Sequence, residues 1–509
     1  MMRQLAELKR FARAAAALVS RDLEVGQFEI YCASADQRIA RLNFTSDIPC
    51  RGIEEMKSIG ADGFQIRIAK RRNPREFGVA FESGALTLEA VRAVLARAHR
   101  AAVIDPFFPG FAKGARAVRL ARAGPGDLAR AGDEPIVVAG WSIVRGAVEE
   151  FARSEAGEIS RPRLVVGGDL AVLHDRIALA SSHFNDVRSD ESARFSSSVT
   201  ALIESLDAKG TASAMGGRVA EMKRAAAHLG RDAVNRALTL ARGCRPGSGM
   251  YRVVLGAQPV AEILNYMVIG SLTTNAFHAA DSAYHERFGA QVMDSRLSLV
   301  DDPAMRAGAL QRRITCEGLP ARRVVLVRDG RLVGLLSNFY DTHRLQADED
   351  RAEKLGPGAD GATPFKPLSG YRLGEGGGRS HEHAPASSGT NVVMKARGGV
   401  ADAELIRAVG EGLYVGRVWY TYPINGQRAG DFTCTVSGDS YLIKNGKLAE
   451  PLAPNALRVN SNIDKVFKRV LAVGHRSHPA IVWGAPDAYY VPALAVDMLE
   501  FSAVGETLR

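Results

Sequence analysis

Two dipeptides constrain this chain more than any other feature. Asp329-Gly330 sits inside Arg323-Val-Val-Leu-Val-Arg-Asp-Gly-Arg-Leu-Val-Gly-Leu-Leu336, and Asn445-Gly446 inside Ser440-Tyr-Leu-Ile-Lys-Asn-Gly-Lys-Leu-Ala449. A two-residue hairpin needs positive φ at both central positions, and these pairs adopt it at low cost. Each predicts two antiparallel strands, so the second half of the chain is expected to be mainly β. The first half alternates. Phe28–Cys32, Phe64–Ala69 and Phe77–Glu82 carry the period of a strand. Thr87 precedes Leu88, Val91, Leu95 and Ala98, which fall on one helical face. Further strands are expected over 163–166 and 176–180 and a long helix over 220–241, ahead of the linker Gly243-Cys-Arg-Pro-Gly-Ser-Gly249. At 509 residues there is room for two or three cores. The fold class is α+β: an N-terminal two-layer α/β domain over 1–243, then a mainly antiparallel β domain over 250–509. Residues 346–385, rich in Asp, Glu, Gly and Pro, are expected to form a flexible loop within it, as a lid or a partner contact.

Several function classes drop out. No apolar run is long enough to span a bilayer. Residues 1–17 alternate basic and apolar side chains without a continuous apolar stretch, so they read as an amphipathic helix and not a signal peptide. The cytoplasm is the expected compartment, and no membrane partner is expected. The five cysteines (Cys32, Cys50, Cys244, Cys316, Cys434) are odd in number and lack a C-x-x-C, which argues against a disulfide framework or a cysteine zinc site. The net charge of +10 concentrates over 67–75 and 312–331. That pattern suits nucleic acid or an acidic partner, but no nucleic-acid-binding motif accompanies it. Solvated strand edges are the preferred reading, and nucleic acid is disfavoured. There is no Gly-x-Ser-x-Gly elbow and no phosphate loop. Gly374-x-Gly376 lies in the long loop and not between a strand and a helix. Asp301-Asp302-Pro303 suits a strand end and turn.

The chemically informative stretch is Tyr251-Arg-Val-Val-Leu-Gly-Ala-Gln-Pro-Val-Ala-Glu-Ile-Leu-Asn-Tyr-Met-Val-Ile-Gly270, a strand over 251–255 running through a turn into an apolar helix. It resembles the corresponding passage of the TldD/PmbA family of peptidase-related proteins. The likeness covers most of the chain. It includes Asp190–Phe195, Phe288–Asp294 with Leu297–Pro303, Gly318–Arg323, Ser387-Ser-Gly-Thr-Asn391, Gly412–Val415, Gly430–Phe432 and Val473-Gly474.

In the metal-binding TldD branch this helix carries His-Glu-x-x-x-His. The matching positions here are Asn265, Tyr266 and Gly270. Residues five apart on a regular α-helix sit roughly 140° off one face, so such a motif requires a distorted turn. Catalytic zinc wants three protein ligands, a bound water and a carboxylate base. Asparagine is a poor zinc ligand, tyrosine cannot replace the glutamate, and glycine has no side chain. The third ligand of TldD-type members is a C-terminal cysteine, and the matching position holds Trp483. The resemblance therefore implies the metal-free PmbA/TldE branch, with no cofactor in this chain. It further implies a heteromer with a TldD-type paralogue that carries zinc, and proteolysis of unfolded peptides and peptide natural-product precursors. An extended peptide would be held along a strand edge. A homo-oligomer is the other assembly left open.

Remaining candidates stand apart from that motif. His278 and His285 are seven apart and could share a helix face, followed by Glu286. His381-Glu-His383 reads as a solvated loop with two imidazoles. His475 and His478 are weaker candidates still. A competing reading is a stand-alone enzyme with repurposed chemistry in the same cleft, for which Tyr266, His381, His383 and Asp439 are the first catalytic candidates. A third is a peptide- or nucleic-acid-binding protein that uses its basic face.

Overall fold

The computed structural model describes residues 2–46, 48, 52–114, 126–154, 163–359 and 365–505. Cys50, one of the five cysteines, lies outside them. The first half builds one antiparallel sheet. Its strands run in the order Val103–Ile104, Glu76–Ser83, Lys57–Lys70, Val25–Thr45, Leu164–Ser181, Arg188–Ile203, Ala208–Gly216, with Gly52–Ile53 beside Val25–Thr45. Alternation puts one parity of side chain on each face. Ile30, Cys32, Ala178 and Ala180 pack against Leu8, Ala12, Val91 and Leu95 of the helices Leu5–Val19 and Leu88–Arg100. Ala40, Leu42, Val166 and Val172 have the same parity and pack against Ile143, Ala147, Leu229 and Val234 of Glu134–Arg153 and Val219–Leu240. All four helices thus cover one face. Tyr31, Ala33, Ile177 and Leu179 point the other way, onto Ile314 and Cys316 of the second half.

The second half holds two larger sheets. One runs Arg417–Pro423, Asp431–Gly438, Leu457–Asn462, Leu494–Ala503, Gly249–Leu255, Gly412–Val415, Tyr441–Lys444, Lys447–Pro451, with Val470–Val473 beside Leu494–Ala503. The other runs Arg331–Leu332, Val324–Arg328, Leu297–Asp301, Asn391–Ala396, Ala488–Val491, His478–Ala480. Among the described residues only two strand pairs are parallel, Gly249–Leu255 with Gly412–Val415 and Asn391–Ala396 with Ala488–Val491. Both sheets and the helix between them share one core that includes Val253, Leu264, Val268, Leu299, Val392 and Val459. Both Asx-Gly turns form: Arg328 faces Arg331 across Asp329 (φ 46°) and Gly330 (φ 77°), and Lys444 faces Lys447 across Asn445 (φ 51°) and Gly446 (φ 67°).

Three expectations are corrected. The strands foreseen over 163–166 and 176–180 are the two ends of one strand, Leu164–Ser181. Gly168 stays in the sheet at φ 141°, where a Cβ would collide with the backbone of Ser198. The described parts of 346–385, 346–359 and 365–385, are built into the fold and do not form a solvated lid. Arg351–Leu355 is helical, Gly370–Tyr371 pairs with Ala386–Ser387, and Tyr371, Arg372, Arg379 and His381 are buried. The basic runs are not wholly solvated edges either, because Arg67 and Arg312 are buried. No helix of the described residues is long and apolar enough to cross a membrane.

Candidate functional site

Gly249–Leu255 lies inside the larger sheet, between Leu494–Ala503 and Gly412–Val415. It delivers the chain through Gly256 into the helix Ala257–Ile263, which passes into a π-helical turn, Leu264–Ile269, and a 3₁₀ turn, Gly270–Leu272. A π turn bonds each carbonyl to the fifth residue on, so residues five apart return toward one face. Asn265 and Gly270 have that spacing. The distortion that a two-histidine motif requires is therefore built, without the histidines. The turn is supported from outside: the carbonyl of Met267 accepts from Ser271 Oγ at 3.0 Å and from Gln427 Nε2 at 2.7 Å.

The side chains at this turn are already committed. Asn265 Oδ1 accepts from the Tyr489 hydroxyl at 2.9 Å, and Tyr266 donates its hydroxyl to the carbonyl of Trp483 at 2.8 Å. A Cβ added at Gly270 would meet nothing within 4 Å, and Trp483 is 86% exposed. An amide oxygen, a phenol, a bare backbone and an indole do not supply the anionic or imidazole donors that zinc takes. Among the described residues no three of His, Cys, Asp and Glu converge as a metal site would require.

Behind the turn lies a buried polar centre that sequence reasoning missed. Asp487 Oδ2 is 3.5 Å from the Tyr489 hydroxyl, and its Oδ1 accepts from Ser388 Oγ at 3.1 Å. Asp301 Oδ1 accepts from the backbone N–H and hydroxyl of Thr390 at 2.6 and 2.7 Å. Burial pushes Asp301 up to about 7 and Asp487 up to about 6. The Arg312 guanidinium lies 4.4 Å from the centre of the Tyr371 ring. Its three nitrogens and Asp301 Oδ2 have no hydrogen-bond partner among the described residues. The signal available in sequence was the Ser387–Asn391 run beside Asp301-Asp302-Pro303, whose residues meet here.

Two cavities flank these elements. A cleft of about 1050 Å³ separates the strand Glu76–Ser83 from Thr273, Asn275, Tyr340, Asp341, Glu382 and 384–387. Pairing of that strand with Val103–Ile104 stops at Phe77, so among the described strands none pairs with its outer edge from Gly78 to Ser83. Val79–Ser83 line the cleft. A second cavity of about 290 Å³ is lined by Glu262, Arg417, Asp439, Trp419 and Trp483 from the second half and by Lys209 from the first.

The structure scatters the other candidates. His381 is 1% exposed, its Nε2 sits 2.8 Å from Ser83 Oγ, and its carbonyl accepts from Gln65 Nε2 at 2.8 Å. Burial lowers its pKa, which favours the neutral ring. This corrects the solvated reading for His381; His383 is exposed. Asp439 (φ 48°) pairs with Arg236 at 3.2 Å and is raised by burial. Tyr266 bonds the Trp483 carbonyl and Asp439 lines the same cavity as Trp483, whereas His381 stands at the strand edge of the other lobe. His278 and His285 share no helix, since that helix ends at His278 and Ala280 takes φ 55°. His278 lies 2.7 Å from Asp348, and His285 3.1 Å from Glu286. His475 Nδ1 contacts the Val400 carbonyl at 3.0 Å, and His478 opens an edge strand.

The architecture is shared with TldE from Thermococcus kodakarensis, with a TM-score of 0.76 over 98% of this chain and 99% of that one at 13% identity. Two proposed modulators of DNA gyrase share it as well. That from Bacteroides thetaiotaomicron gives a TM-score of 0.73 over 98% and 99% of the two chains at 16% identity. That from Thermotoga maritima gives 0.72 over 97% and 99% at 14% identity. The fold class is therefore the two-lobed α+β architecture of TldE. In sequence, residues 248–503 match the PmbA/TldA metallopeptidase C-terminal domain, and the chain belongs to the PmbA/TldD family of metallopeptidase-like proteins. It is 27% identical over 254 residues to the metalloprotease TldD homologue of Haemophilus influenzae. That match takes in 48% of this chain and 45% of the relative, so the chain spans about half the length of the curated relative it matches.

Proposed function

We propose that this chain is a non-catalytic, TldE-like subunit of a cytoplasmic TldD/TldE-type metallopeptidase complex, with zinc carried by a TldD-type partner. One observation carries the reading. The helix keeps the π turn that brings residues five apart together, while the positions that would present ligands and base hold Asn265, Tyr266 and Gly270. A shape retained after its donors have gone fits a subunit that works by enclosure and contact. Its substrate would be an extended peptide, paired through its backbone with the edge of Gly78–Ser83 in the large cleft, where no described strand pairs and Arg97 now holds the Phe81 carbonyl at 2.7 Å. Edge pairing reads backbone and not sequence, which suits trimming of unfolded peptides and peptide precursors.

The test is co-expression with a paralogue that carries His-Glu-x-x-x-His. The expected result is a stable heteromer that cleaves unfolded peptides and loses activity when zinc is stripped, while the isolated chain holds no stoichiometric zinc and cleaves nothing. Chelator-resistant peptide cleavage by the isolated chain would overturn the reading.

A further inference from the structure

The smaller cavity contains two charges that the assembly above does not use. Glu262 is 4% exposed, and its one hydrogen bond among the described residues comes from the neutral amide of Gln258, Nε2 to Oε2 at 3.0 Å. Arg417, half-buried on the opposite element, has neither an ion pair nor a side-chain hydrogen bond among the described residues. A carboxylate this enclosed ordinarily pairs with a cation, and one left unpaired is costly. Here an acid and a base face the same space of about 290 Å³ and do not pair with each other. They interact only through the field between them: burial pushes Glu262 up to about 7, with Arg417 opposing.

The other charged groups on the wall repeat that balance. Asp439 is held by Arg236 at 3.2 Å, and Lys209 Nζ stands 5.7 Å from the centre of the Trp419 ring. A lone cation would meet Arg417 and Lys209, and a lone anion would meet Glu262 and Asp439. A molecule carrying both signs satisfies both sides. The remaining wall is mixed: Leu240, Val418 and Ile481 and the exposed indoles of Trp419 and Trp483 offer apolar surface, and Ser198, Thr200, Ser437 and Asn455 offer uncharged polar groups. The volume is at the small end of ligand pockets.

We propose that this cavity binds a small zwitterion, a free amino acid or dipeptide, with its ammonium on Glu262, its carboxylate on Arg417 and its side chain against the two indoles. The site stands whether or not a metal-bearing partner exists, because every group in it belongs to this chain.

The experiment titrates L-alanyl-L-leucine into the full chain and follows tryptophan fluorescence. Two of the three tryptophans line the cavity, and the third, Trp141, lies on the Glu134–Arg153 helix. A saturable change with a Kd of about 1 mM or tighter is expected. Glu262→Gln and Arg417→Gln should each weaken binding at least about tenfold, the scale of one lost charge-assisted contact. The N-acetylated dipeptide should bind the native chain about tenfold more weakly and lose nothing further on Glu262→Gln. The dipeptide amide should behave likewise with Arg417→Gln. If either variant does not fold, the capped dipeptides on the native chain decide. Absence of a saturable signal, or capped dipeptides that bind as well as the free one, would overturn the assignment.

Discussion

Arg379, enclosed by protein on all sides, bridges two strands of the other lobe. Its Nη1 lies 2.7 Å from Asp190 Oδ2 and its Nε 2.6 Å from Asp175 Oδ1. The two aspartates project from neighbouring strands on the sheet face that carries no helix, where Asp190 pairs with Ile177. Arg313 adds a second contact to Asp190, Nε to Oδ1 at 2.7 Å. A few residues earlier, Arg372 reaches Glu29 and donates from Nη1 to Gln65 Oε1 at 2.6 Å. Arg372 and Arg379 therefore fasten the lobes to one another through buried charge.

Removing one partner of such a cluster leaves the others buried and uncompensated, and that cost exceeds the net worth of the pair. Arg379→Met is expected to lower the unfolding free energy by about 3–5 kcal/mol. Adding Asp175→Asn and Asp190→Asn should recover part of it, since the stranded charges are then gone. Urea unfolding measures both. A single variant as stable as the parent would mean that the acids are hydrated and the fastening is weak.

Gly270 gives a test of opposite sign. It sits at φ −59° and ψ −37°, ordinary helical values, and an added Cβ meets nothing within 4 Å. Neither conformation nor space requires glycine there. Gly270→Ala should stabilise the chain by about 0.5–1 kcal/mol through helix propensity and a less flexible unfolded state. A loss in thermal unfolding would show that the π turn depends on a bare backbone at this position.

What was legible in the sequence was local. Asn445-Gly446 and Asp329-Gly330 announced their hairpins because positive φ is a property of those two residues alone. Thr87 announced the helix it caps, its Oγ1 accepting from the N–H of Ala90 at 3.1 Å. The motif positions Asn265, Tyr266 and Gly270 fall on the distorted turn that their spacing implied. What stayed hidden was long-range. Arg379 lies in a stretch whose composition reads as solvated, and only the fold brings Asp175 and Asp190 to it. The exceptional feature of Glu262 is a missing charged partner, which no sequence displays.

The buried acids set a pH dependence whose sign is fixed. Asp301 has an ordinary value of 3.8 and is raised to about 7 by burial, with the nearby Asp487 adding to the rise. Between those values the folded state holds more protons than the unfolded chain. The contribution is fully present below pH about 4 and is lost as pH rises through about 7. Asp301→Asn cannot ionise, so its stability relative to the parent should rise across that window, by at most about 1.4 kcal/mol per pH unit. Unfolding of both proteins at several pH values between 4 and 8 reads the slope. A difference that does not change with pH would mean that Asp301 titrates near its ordinary value.

His381, read as a catalytic candidate, packs against Gly63 and Ser83, which face each other across two paired strands. A Cβ at Gly63 would run into both the His381 imidazole and the backbone carbonyl of Glu82. Gly63→Ala is expected to cost about 1–3 kcal/mol, the scale of overpacking a closed site. His381→Ala alone should also destabilise, through lost packing against Phe81 and loss of the contact to Ser83 Oγ. In the double variant the imidazole is gone but the carbonyl remains, so the two costs should add to less than their sum without cancelling. A strictly additive pair, measured by thermal unfolding, would separate His381 from Gly63 and reopen the imidazole to a role in chemistry.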